Sequence, residues 1–319
     1  MRIKSLAKAA LAAAVLTCGA AQAEQVHVAT TAIVEHPALD SVRDGIKAAL
    51  LENGYTDDTL KFSYESAQGN PAIAAQIARK MVGDQPDVIV AIATPSAQAA
   101  VSAARDIPVI FSVVTDPMGA KLVSNMDKPG RNVTGLSDAV PVAQHLAMIK
   151  EVVPGLKRLG IPFNPGEPNA VSIIAAMKVV AAEQGIEIIE APAPKSSDVM
   201  VASQKLIGKV DAIYTTLDNT IITALESIVK VGIDAQIPVF SADTDSVTRG
   251  AVAAVGFNYN DLGRQTGEMV IEVLKGKNPG DMPVRIAEGT DIYVNLKTAR
   301  MMGVEIPESL LARVTKVIK

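Results

Sequence analysis

The stretch "VIVAIATPSAQ", residues 88–98, runs apolar and then stops at Thr94-Pro95-Ser96. Two later apolar runs stop instead at carboxylates, in Asp218-Asn219-Thr220 and in Asp243-Thr244-Asp245-Ser246. These residue types could do complementary chemistry. A proline in a first helical turn sacrifices no hydrogen bond, so a helix opening at Thr94 would leave backbone N–H groups and two hydroxyls for an anion. Carboxylates at the other strand ends could hold a cation, and a small zwitterion would use both. Each residue also has an ordinary use, because Thr, Ser and Asp at helix starts are common caps that need no ligand.

Other chemistry finds no support in the residue pattern. His27, His36 and His145 are far apart, with no cysteine near them, so no metal site is expected. There is no Gly-rich phosphate loop, no G-x-G-x-x-G after a strand, no G-x-S-x-G elbow and no other nucleophile–base spacing. Neither catalysis nor a cofactor is expected. Met177, Met269, Met301 and Met302 fall in helical patterns and read as core.

The elements that must position these residues alternate along the chain. Strands are expected over 26–32, 61–67, 87–93 and 108–114, then again over 158–163, 186–191, 211–217 and 238–242, with helical patterns between. Such alternation builds βαβ units and a parallel sheet. The two halves answer one another: "DVIVAIATP" from Asp87 by "DAIYTTLDN" from Asp211, and "IPVIFSVVTD" from Ile107 by "IPVFSADTD" from Ile237, at offsets of 124 and 130 residues. The expected fold is α/β, with two similar doubly wound parallel-sheet lobes.

Past residue 250 come a strand at 251–258, a helix, and the strand-like "PVRIAEGTDIYVNL", an extra unit for each lobe. The chain is therefore expected to cross between lobes three times, near 135–140, 249–251 and 280–283. Lobe 1 would hold 24–137 plus 251–281, and lobe 2 would hold 138–250 plus 282–319. Lobes joined by such hinge crossings commonly close over a ligand. In open parallel sheets the ligand lies beyond the carboxyl ends of the strands, where strand order reverses. Those loops supply the candidates His36, Thr94, Ser96, Thr115 and Asp116 from lobe 1. Lobe 2 supplies Asn164, Asp218, Asn219, Asp243, Thr244 and Asp245.

Composition narrows the ligand. The chain has 319 residues, formal net charge −4, 3% aromatic residues and no Trp, so neither a basic nucleic-acid surface nor a broad stacking platform is available. The N-terminus, "MRIKSLAKAALAAAVLTCGAAQAEQ", has a basic start, a short apolar stretch and the small-x-small Ala21-Gln22-Ala23. It reads as a secretory signal peptide over 1–23, cleaved after Ala23, and the apolar stretch is too short to span a bilayer. Cys18 offers a lipid anchor in a poor sequence context, so a soluble periplasmic monomer is the expectation.

"IVEHPALD", "AIATPSAQAA", "VVTDP", "NVTGLSD", "DAIYTTLDNT" and "FSADTDSVTRGAVAAVGFNY" together resemble a family of ABC-transporter substrate-binding proteins. The resemblance spans nearly the whole mature chain. It implies the type I periplasmic-binding-protein fold, and a receptor that delivers ligand to a membrane permease and ATPase without catalysis of its own. Some members bind tryptophan or other aromatic amino acids. Members often carry Tyr before the Asn-Pro that ends the first lobe-2 strand, where this chain has "PFNP". The resemblance thus places Phe163 near the site and leaves side-chain specificity open. The competing readings are a sugar or other neutral polyol binder, a transcription regulator on the same fold, and an enzyme. The signal peptide and the missing DNA-binding head oppose the regulator.

Overall fold

The computed structural model describes residues 25–319; the expected signal peptide, with Cys18, lies outside the described residues. Strands β1 (Val26–Ala32), β2 (Leu60–Ser66), β3 (Val88–Ile92), β4 (Val109–Ser112) and β5 (Val133–Ser137) come first. They are followed by β6 (Arg158–Phe163), β7 (Glu187–Pro192), β8 (Ala212–Thr215), β9 (Val239–Ser241) and β10 (Ala253–Gly256), then β11 (Arg285–Ile286), β12 (Asp291–Asn295) and β13 (Lys316–Ile318). The helices used below are α1 (Pro37–Glu52), α2 (Pro71–Asp84), α3 (Thr94–Ala103), α4 (Val142–Val152), α5 (Pro168–Ala182), α6 (Val199–Gln204), α7 (Asn219–Thr223), α8 (Leu225–Ala235), α9 (Asp245–Thr248) and α10 (Tyr259–Leu274). Proline stands in the first turn of α1, α2, α3 and α5, where its missing N–H has no helical partner to lose.

The strands form two sheets, in the orders β11-β5-β4-β3-β1-β2 and β13-β12-β10-β9-β8-β6-β7. The first is parallel throughout; the second is parallel except where β12 runs against β10. Each is doubly wound, reversing strand order between β1 and β3 in one lobe and between β6 and β8 in the other. The apolar run at 88–92 is buried along its whole length, as a strand covered on both faces must be. A repeated aspartate registers the two sheets alike. Before β3, Asp87 accepts the amide of His27 at 2.7 Å; before β8, Asp211 accepts the amide of Arg158 at 2.7 Å. In each lobe a carboxylate thus clips the start of the first strand to the start of the third.

The tail departs from the expected division. The strand expected to open the second part of lobe 1 at residue 251 is β10, which pairs with β9 and β12 in the second sheet. Conversely β11, placed by the sequence in lobe 2, pairs with β5 in the first sheet. The crossings accordingly lie at residues 138–141, 257–258 and 288–290, and only the first overlaps its expected position. Residues 249–251 stay within lobe 2, and 280–283 stay within lobe 1, where the Thr134 hydroxyl donates to the Met282 carbonyl at 2.8 Å. The misplacement has a local cause: a four-residue apolar strand carries no mark of which sheet it will join.

Returning to lobe 1, the chain lays α10 against α1. Glycines make the approach close. A Cβ at Gly45 would stand 2.2 Å from the Asn260 carbonyl, and one at Gly263 would stand 2.2 Å from the Val42 carbonyl. Both obstacles are backbone and cannot turn aside. Gly45→Ala should therefore cost about 1–3 kcal/mol in thermal unfolding through overpacking. Gly83→Ala, in α2 with open space around it, should be neutral or slightly stabilising.

Candidate ligand site between the lobes

A cavity opens between the carboxyl ends of the two sheets, at both switch points. Lobe 1 contributes His36, Leu39, Ala93, Thr94, Val113 and Thr115 to its wall; lobe 2 contributes Asn169, Leu217, Asp218, Asn219, Ile222 and Asp243. Asp138, at the start of the first crossing, and Tyr259, directly after the second, also line it.

The lobe 1 wall carries the N-terminus of α3. At the N-terminus of α3 the cap position is Ala93, which has no side chain to offer the open amides. Ala93 has φ 70° and ψ 157°, a region that glycine alone visits readily, and Val113 at the end of β4 has φ 50°. Two side-chain-bearing residues in the left-handed half of the map, both at the cavity, carry strain that the packed strands behind them hold in place. Ser96 Oγ is buried without a hydrogen-bond partner, and so is His36 Nδ1 at the N-cap of α1. Burial, the largest influence, holds the His36 imidazole below its ordinary range, toward the neutral form.

Opposite stand carboxylates. Asp218 caps α7: one oxygen accepts the Ile221 amide at 3.0 Å, the other the Asn164 amide at 2.6 Å. Burial first, and then the nearby Glu167 charge, push the Asp218 carboxyl well above the usual carboxylate range. Glu167 accepts from the amides of Asn219 and Thr220 at 2.9 Å each, from their side chains at 2.7 and 2.8 Å, and from the Asn169 side chain at 3.3 Å. Asp243 accepts from Ser241 Oγ at 2.9 Å and from the Ser246 amide and hydroxyl at 2.8 and 2.5 Å. Asp138, at the end of β5, accepts from Thr115 Oγ1 at 3.2 Å and the Tyr259 hydroxyl at 3.4 Å. Burial pushes its carboxyl up to about 6.

Of the residues singled out from the sequence, His36, Thr94, Thr115, Asp218, Asn219 and Asp243 come together on the cavity wall. Ser96 lies in the first turn of α3 behind it. The other five do not line it. Phe163 is packed in the lobe 2 core. The side chain of Asn164 donates to Thr220 Oγ1 and accepts the Gly166 amide, shaping the loop before α5. Thr244 donates to the carbonyl of Phe257 in the second crossing, and Asp245, half-buried, begins α9. Asp116 accepts the Ser172 hydroxyl at 2.7 Å, a bond from lobe 2 to lobe 1. The sequence reading missed Asp138, Tyr259, Glu167 and Asn169. A carboxylate ending "NVTGLSD" on a strand whose carboxyl end faces the cleft was a usable signal for Asp138. Glu167 had none, since it serves a helix 52 residues away.

A two-lobed α/β scaffold with a cavity at paired switch points, polar at opposite walls and apolar between, defines a receptor for a small solute. The chain belongs to the ABC transporter substrate-binding protein family, whose profile matches residues 27–318. It is similar to a protein described as "Tyrosine-binding protein" from Clostridioides difficile (strain R20291), with 37% identity over 283 residues, 88% of this chain and 82% of the relative. Its structure is similar to an ABC domain from Streptococcus pneumoniae in complex with L-Trp, with TM-score 0.90, 34% identity, and 92% of this chain and all of the other covered. It is less similar, at TM-score 0.70, to the ligand-free, open structure of a substrate-binding protein with adhesive properties from Clostridium difficile, at 36% identity with 92% and 99% covered.

The Ser172–Asp116 bond ties the two lobes together. Ser172→Ala should weaken ligand binding by about 1 kcal/mol, roughly fivefold in Kd by titration calorimetry, because closure loses one hydrogen bond to a carboxylate. Small-angle scattering should then show a larger radius of gyration for the variant at subsaturating ligand.

Proposed function

We propose that this chain is the extracytoplasmic receptor of an ABC importer for an amino acid with an apolar or aromatic side chain. The observation that carries the reading is the opposition across one cavity: an α3 N-terminus with no side-chain cap and a buried, unpartnered Ser96 hydroxyl on one side, and buried carboxylates on the other. The ligand's carboxylate takes the amides of α3 with Thr94, Ser96 and Thr115, where the helix dipole favours negative charge. Its ammonium takes the wall formed by Asp138, Asp218 and Asp243. Leu39, Val113, Leu217, Ile222 and the Tyr259 ring leave an apolar space for the side chain. The relatives described as binding tyrosine or in complex with L-Trp support the same class. A neutral polyol would leave the carboxylate wall without a counter-charge. The receptor works as a monomer that hands its ligand to a permease and its ATPase.

Titration calorimetry with L-tyrosine and L-tryptophan tests the reading. Saturating ligand at about a hundredfold its Kd should stabilise the protein by about 2.7 kcal/mol in thermal unfolding. Ser96→Ala should lose about 1.5–3 kcal/mol of binding, roughly tenfold to a hundredfold in Kd. Stabilisation by sugars, with none by any amino acid, would overturn it. The same reading places the mature chain in the periplasm starting at Glu24. Intact mass of periplasmic extract should match cleavage after Ala23, and a mass for a lipidated Cys18 would make the receptor membrane-anchored instead.

A further inference from the structure

Among the carboxylates lining the cavity, Asp138 has the weakest partners. Asp218 accepts the amides of Asn164 and Ile221, and Asp243 that of Ser246, at 2.6–3.0 Å. Asp138 is 3% exposed, and its side-chain partners are two hydroxyls, at 3.2 and 3.4 Å. Both bonds are long for O–H···O contacts, which usually fall near 2.7–2.8 Å. None of the ion pairs among the described residues includes it. A buried carboxylate with such partners is expensive unless something cationic joins it.

Its place in the chain adds a second fact. Asp138 is the first residue of the crossing at 138–141, and its partner Tyr259 directly follows the crossing at 257–258. Thr115, its other partner, ends the loop that also places Asp116 against Ser172 of the opposite lobe. One side chain therefore joins two of the three hinge crossings and faces the cavity. We infer that Asp138 reads the ligand's ammonium group and couples that charge to closure of the hinge, an inference that rests on the amino-acid reading above. A ligand without the ammonium would bury Asp138 in the closed form with no counter-charge, and closure would be correspondingly disfavoured.

The test compares L-tryptophan and L-tyrosine with their deaminated analogues, the corresponding arylpropionates, by titration calorimetry on the wild type and on Asp138→Asn. Asparagine keeps the shape and removes the charge. The wild type should prefer each amino acid over its analogue by roughly a hundredfold or more. Asp138→Asn should lose most of that preference, through weaker binding of the amino acids and not of the analogues. A purely structural role would weaken all four ligands alike.

The pH profile of the wild type supplies a readout independent of any variant. The other titratable groups lining the cavity are His36 at the head of α1, Asp218 before α7, Asp243 after β9 and Tyr259 on α10. Burial raises the Asp138 carboxyl to about 6, and an ammonium partner favours its ionised form. Amino-acid affinity should therefore be full above about pH 7 and fall as pH drops through 6 toward 5, more steeply than affinity for the analogues, whose binding gains nothing from ionised Asp138. Undiminished discrimination in a folded Asp138→Asn, or a wild-type preference that is flat over this range, would overturn the inference and leave the amino-acid receptor standing. A wild type that binds neither amino acid would overturn both.

Discussion

Buried negative charge without a cationic side chain beside it is the constraint on which the rest of this structure depends. Asp138, Glu167, Asp218 and Asp243 are each at most 5% exposed, and all surround or support one cavity. Removing such groups from water is unfavourable unless hydrogen bonds compensate, and here the compensation is local backbone geometry. Helix α7 begins where it does so that its first amides can serve Asp218 and Glu167. The turn into α9 is shaped by Ser241 and Ser246 around Asp243. These short helices, five and four residues long, have little stability of their own. The carboxylates and the helices hold one another.

The repeated scaffold explains how one cavity acquires two polarities. The loop after β3 carries Thr94 and the equivalent loop after β8 carries Asp218; the loop after β4 carries Thr115 and the loop after β9 carries Asp243. Strand order, register and the aspartate clip at the strand start are shared between the lobes. What differs is the handful of residues beyond the carboxyl ends. In lobe 1 the α3 helix is left without a side-chain cap, so its N-terminal dipole is presented to the cavity; in lobe 2 carboxylates cap α7 and neutralise theirs. Facing the two lobes across a hinge turns a repeated fold into an asymmetric clamp.

How much of this was legible in the sequence follows from the range of the interactions. Buried strands such as 88–92 announce themselves, because a strand covered on both faces is apolar throughout. First-turn prolines and the matched halves marked helix starts and the duplication. Loop positions at strand ends named six residues of the cavity wall, from His36 to Asp243. Sheet membership of β10 and β11 was not legible, since four-residue and two-residue strands carry too little pattern to choose a partner. Glu167 was invisible for a different reason: its five donors come mostly from α7, and nothing in its own surroundings foretells them. Phe163 packs in the lobe 2 core and does not line the cavity, while the Tyr259 ring, at the start of α10, does.

That last exchange bears on how such a receptor transmits binding. A side chain on a sheet interior is held by one lobe and moves with it. Asp138 opens the first crossing and Tyr259 directly follows the second, and the two meet, so their contact ties the ends of two crossings together. Thr244, bonded to the carbonyl of Phe257, ties the same crossing to the Asp243 turn. A group bound between them therefore acts on backbone that must rotate during closure, and its differential affinity for the two arrangements is what can shift their populations. On the proposed reading, a ligand charge held at Asp138, where the first crossing begins, makes ligand chemistry and lobe motion one equilibrium.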